Sequence, residues 1–202
     1  MKNAVVTSRS YLLDLQWTQL AHDERYHKDV VIMSLGERLK HMALHMAKYV
    51  GYLAEIEGDD EDRVARILTD AFIITLATAN TLNQDLGRDL GDAAEGVADL
   101  DRLAAAVGSD MGQDISVAGL LRPFARHAGA LAKACESLDH MEAFPFRSAM
   151  RDSNLALFKL VVAAGAARSI PLEQRYRERL RVVEERSIFD RHLQSAASAT
   201  AS

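Results

Sequence analysis

An all-α helical bundle is the fold class that this sequence predicts, on three observations. Ala, Leu, Met, Arg and Glu dominate the composition, strand-like alternation of β-branched residues is absent, and the 202 residues hold only three prolines, at 123, 145 and 171. Those residue types lose little freedom in a helix, and without period-two alternation there is no half-buried strand to build. The length and the 49% hydrophobic content suffice for one helical domain with a sizeable core, expected over residues 1–194, with a disordered tail over 195–202.

The elements follow in order. A first helix is expected from Ser10 to Ala21, with Leu12, Leu13, Trp17 and Leu20 on its apolar side, and a polar connection from His22 to Asp29 follows. Ser34-Leu-Gly-Glu37 has capping-box spacing, in which serine and glutamate side chains satisfy free backbone N–H groups at a helix start. Behind it Leu35, Leu39, Met42, Met46, Val50 and Leu53 share one stripe, and Gly58 ends the run. The next helix runs from Asp62 to Asn83. Gly87, Gly91, Gly96, Gly108 and Gly112 then mark a linker between two halves. A helix over Val117 to Met141 must carry Pro123 near its first turn or at a kink. Phe144-Pro145-Phe146 breaks the chain, Ser148 to Ala167 forms another apolar helix, and Pro171 opens a last one with Leu172, Tyr176, Leu180 and Val183 inward.

Lys48-Tyr-Val-Gly51-Tyr-Leu53-Ala54 lines up with Arg126-His-Ala-Gly129-Ala-Leu131-Ala132, each opening onto an acidic turn and an apolar helix. The alignment points to an internal repeat, units 34–86 and 116–172, packed as two pseudo-repeated hairpins in a four-helix core with flanking helices. Composition alone offers the competing explanation, since two Ala-rich amphipathic helices match this well without common descent.

Charge and cysteine content exclude several classes. The net charge of −5 comes from interspersed acids and bases, so no basic field grips a phosphate backbone and nucleic acid is not the expected partner. Arg9, Asp14 and Gln16 interrupt any secretory apolar region, and the single Cys135 cannot form an internal disulfide, so a cytoplasmic location is expected. No apolar run approaches the roughly 20 residues that span a bilayer, so no membrane association is expected.

Asp70 is the residue that most demands a partner. It sits in Ile67-Leu68-Thr69-Asp70-Ala71-Phe72-Ile73-Ile74, where an ionised carboxylate is costly unless compensated. Lys48, Arg63 or Arg66 would make it half of an ion pair; a metal or ligand would make it part of a site. His41, His45, Lys48 and Tyr52 fall within about 60° of one another on their helix and form a polar ridge. His41 and His45 are spaced for one metal but lack a third ligand nearby in sequence. Asn80 either bonds a neighbouring helix or lines the same pocket. Glu136 and Asp139, three apart, suit a shared divalent ion, although a charged helix end is the simpler explanation. The adjacent His22 and Asp23 match the dyad of metal-dependent phosphohydrolases, but the further ligands such a site needs are not arranged around them in the sequence. The pair is set aside. There is no nucleophile elbow and no phosphate-loop fingerprint.

The stretch from His41 to Leu86 resembles the all-α nucleoside-triphosphate pyrophosphohydrolases of the MazG-like kind. Lys48-Tyr-Val-Gly51-Tyr-Leu-Ala-Glu55 stands at the first carboxylate motif, Ile67-Leu-Thr-Asp70 at the second, and Ala79-Asn80-Thr-Leu82-Asn-Gln-Asp85-Leu86 continues the match. The resemblance implies a nucleotide partner, magnesium (Mg2+) as the ion, Asp70 as a metal ligand, and phosphate donors from His45, Lys48 and Tyr52 with Asn80 as a further ligand-binding residue. Glu136 and Asp139, with Glu142, supply a displaced acidic cluster only if the second half is a copy of the first. An active enzyme of this kind directs metal-assisted water attack at a phosphoanhydride. Tyr49 and Tyr52 stand where the first carboxylate pair belongs, and Ile67 replaces the third. These departures open the alternative, a non-catalytic bundle that keeps the fold and uses a helix face for a partner or for homo-oligomer formation.

Overall fold

The computed structural model describes residues 8–58, 60–107 and 114–188, and the fold is all-helical throughout them. The segment 195–202, expected to be disordered, lies outside the described residues. The long helices are α1 (Ser8–Tyr26), α3 (Leu35–Ala54), α4 (Glu61–Thr81), α7 (Val117–Asp139), α8 (Phe146–Ala167) and α9 (Leu172–Arg186), with short α2 (Lys28–Val31), α5 (Leu86–Leu90) and α6 (Leu100–Ala106) between them.

Four helices close a ring. α3 packs on α4 and α7, and α8 packs on the same two, so the two hairpins join side by side around one core. Phe72 of α4 meets Phe158 of α8 at 5.8 Å between ring centroids and Tyr176 of α9 edge-on at 5.4 Å. All three rings are fully buried, and each such side chain stabilises by roughly 1.5–3 kcal/mol through area removed from water. The capping box forms as its spacing predicts: Ser34 Oγ accepts from Glu37 N, and Glu37 Oε2 accepts from Ser34 N at 3.0 Å.

Two sequence expectations need correction. The first helix does not end at Ala21 but runs on to Tyr26, because Leu12, Leu15, Gln16, Gln19 and His22 continue one buried stripe against α4. The predicted connection is helical, and Trp17 and Leu13 point away from the core, 68% and 42% exposed. The glycine-marked middle is no loose linker. Leu86, Ala94, Val97, Leu100 and Leu103 are buried; α5 lies on α1 and α6 on α8, with Gly91 and Gly96 supplying the positive φ that the turns require. Gly108 and Gly112 fall outside the described residues.

α9 crosses α4, and α1 packs on both. These terminal helices lie outside the ring and, with α3, enclose the space described next. No single described helix is long and apolar enough to cross a membrane.

Candidate functional site

Four of the seven histidines converge on one cavity of about 210 Å³ between α1, α3, α4 and α9. Its floor is apolar, formed by Met42, Ile73, Ile74, Ala77 and Leu180. Four imidazoles face it, His22, His27, His41 and His45, together with Asp23, Asp70, Lys48 and Arg179.

The α3 wall is a hydrogen-bonded chain. Lys48 Nζ donates to His45 Nδ1 at 3.0 Å, which leaves the proton of the neutral imidazole on Nε2, facing His41 Nε2 at 3.1 Å. His45 is pushed down to about 4, first by burial and then by the charges of Lys48, His41 and His27, so it is neutral at pH 7. Lys48 also sits 4.9 Å over the Tyr49 ring. The Tyr49 phenol is pushed well above its ordinary value by burial and the nearby Asp70 carboxylate.

The α1 wall is built by the extra turns of that helix. His22 is buried, and its Nε2 faces the Leu180 carbonyl at 3.3 Å. A carbonyl only accepts, so in the neutral imidazole Nε2 carries the proton and Nδ1 the lone pair; Nδ1 is buried with no hydrogen-bond partner. Asp23 Oδ1 accepts from Gln19 Nε2 at 2.7 Å, while Gln19 Oε1 is buried and unpartnered. α1 ends at Tyr26, and the next residue, His27, the N-cap of α2, makes no side-chain capping bond and lies 5.7 Å from the His22 ring, centroid to centroid. Donor atoms of His22, Asp23 and His27 all lie within 4.8 Å of one another.

Asp70 is neither deeply buried nor paired with Lys48, Arg63 or Arg66. Its side chain is 23% exposed, and Arg179 Nε donates to Oδ1 at 3.0 Å. The partner comes from α9, which the local sequence around Asp70 does not signal. Asp70 borders the cavity and, on its other side, a second depression of about 270 Å³ shared with Tyr49, Tyr52, Arg63 and Arg66.

His45, Lys48 and Asp70 therefore share one site, with the exposed Tyr52 across Asp70 from it. Asn80 belongs elsewhere: its Nδ2 donates to Gln16 O at 2.8 Å within a buried network that joins Gln16, Gln84 and Asn154. Glu136 and Asp139 belong to the α7 end, where Lys133 binds Glu136 at 3.0 Å and Lys40 binds Asp139 at 2.6 Å. Asp139 holds the Lys40 ammonium above its ordinary value, and Glu136 with Glu142 does the same for Lys133.

Sequence reasoning misses Gln19, His27 and Arg179 and sets aside His22 and Asp23. One signal is present: Leu12, Leu15, Gln19 and His22 keep helical spacing beyond Ala21. No family model, curated protein or solved structure matches the chain, so the cavity's own residues are what define it.

Proposed function

We propose that this protein binds a phosphate-bearing small molecule of the nucleotide class, as the MazG-like resemblance implies, in the cavity between α1, α3, α4 and α9. The observation that carries the reading is that Lys48 and Arg179, two cationic side chains from different helices, one bonded to His45 and the other to Asp70, both line a cavity with an apolar floor. Cations suit phosphate oxygens, and the floor suits a ring. A volume of about 210 Å³ is below the roughly 300–1,000 Å³ of sites that engulf a ligand. It accommodates one end of a nucleotide, with the remainder over the depression beside Tyr52 and Arg66. We place the protein in a reducing compartment, consistent with the buried free thiol of Cys135.

The magnesium chemistry of the resemblance does not fit the residues present. Magnesium needs clustered oxygen donors, whereas Asp70 is held by Arg179, and Glu136 and Asp139 are engaged by lysines on α7 and α3.

Thermal shift and calorimetry against a panel of nucleoside mono-, di- and triphosphates test the reading. Binding that weakens in Lys48→Ala and Arg179→Met is expected; no response across the panel rejects it. The competing reading, an interaction module, is favoured by Leu13 and Trp17, one helical turn apart and exposed on α1. A concentration-dependent dimer lost in Trp17→Ser, without any nucleotide response, would select it.

A further inference from the structure

We propose that His22, Asp23 and His27 form a binding site for a divalent transition-metal ion of the zinc class on the α1 wall of the cavity. The site stands whether or not a nucleotide enters.

Three independent features point to a ligand. The donor atoms of the three residues already lie within 4.8 Å of one another. Metal bonds of about 2.0–2.2 Å bring ligand atoms to roughly 3–3.5 Å apart, a small closing motion for the partly exposed Asp23 and His27. Second, the lone pair of His22 Nδ1 is buried without a donor, and the Asp23 oxygen at 3.9 Å cannot supply one, being too distant and an acceptor. Such a group costs free energy unless something electron-accepting meets it. Third, the outer groups are those a metal site uses to fix its ligands. The Leu180 carbonyl holds His22 Nε2–H so that Nδ1 faces inward, and the Gln19 amide steers the Asp23 carboxylate.

The donor set selects the ion. Two neutral imidazoles and one carboxylate suit zinc, cobalt or iron(II), whereas magnesium prefers oxygen. Three protein ligands leave a position open to the cavity for water or an anionic ligand. His41 and His45 face the same space.

The test is equilibrium dialysis of the chelator-stripped full-length protein against Zn2+, and against Co2+ as a visible probe, with no nucleotide present. One ion per chain, a cobalt d–d band and a raised melting temperature are expected, with millimolar Mg2+ failing to compete. Asp23→Asn and His27→Ala should each weaken binding more than about tenfold, and Gln19→Leu by about 10–100-fold, while His41→Ala leaves it unchanged. His22 is buried, so its replacement also disturbs packing, and the decisive variants are those at Asp23 and His27. Failure to retain an ion, or affinity unaltered in both variants, overturns the proposal. Loss in His41→Ala with retention in His27→Ala would move the ion to α3 and overturn it too.

Discussion

Arg179 donates from Nε to Asp70 Oδ1 at 3.0 Å and so ties α9 to the middle of α4. The pair spans 109 residues of sequence at the rim of the cavity, with side chains 43% and 23% exposed. Partial exposure decides its energetic weight. Removing one partner from a fully buried pair costs about 3–5 kcal/mol, whereas exposed pairs contribute about 0.2–1 kcal/mol. Asp70→Asn and Arg179→Met should therefore each destabilise by no more than about 1 kcal/mol, with a double-mutant cycle in urea measuring a coupling in the same range. A coupling of several kcal/mol would show that water does not reach this rim.

Gln16 carries more. Its Nε2 donates to the Gln84 carbonyl at 2.8 Å, and its Oε1 accepts from Leu86 N at 3.1 Å, all in the interior. Gln16→Leu keeps the volume and strands both backbone groups, so a loss of about 1–3 kcal/mol is expected in denaturant unfolding. Gln174→Leu, on the exposed side of α9, should stay within about 0.5 kcal/mol.

Acid should act through His45. The folded side chain titrates at about 4, whereas the unfolded one has the ordinary value of 6.5. Between these values the unfolded chain binds the proton and the folded chain does not, so stability falls as pH drops from about 6.5 to about 4. His127, held below its ordinary value by burial and Arg126, adds a slope of the same sign. Urea midpoints at pH 7, 6, 5 and 4 should decline, and His45→Gln should flatten part of that decline. An unaltered slope would mean that His45 is as hydrated folded as unfolded.

Phe72 joins three helices through its contacts with Phe158 and Tyr176. Phe72→Ala should cost about 3–5 kcal/mol, because the ring core cannot collapse onto the vacancy. Hydrogen exchange should show the amides of α9 losing protection first, since that helix keeps only Leu172, Tyr176 and Leu180 buried.

The helices of the ring are legible in the sequence because local signals mark them: the Ser34 capping box, the Met42 and Met46 stripe, and the break at Pro145. The end of α1 is not. His22 and Gln19 are polar residues on a buried stripe, and a pattern that scores apolar side chains stops at Leu20. The apolar run around Asp70 marks it as a carboxylate needing a partner, but Arg179 reaches it only through tertiary packing of α9 on α4. The site follows the same division. His45 and Lys48 are visible as one helical ridge, whereas His27 joins them because the chain bends at the end of α1, a consequence of packing that spacing does not encode.

The helix that closes the cavity is the last long one among the described residues. Translation at about 5–20 residues per second separates the emergence of His45 from that of Arg179 by on the order of ten seconds. Throughout that interval the four imidazoles lack the cover of Arg179 and Leu180. Docking of α9 thus does more than complete a bundle. It is the event that gives His22 the carbonyl that sets its tautomer.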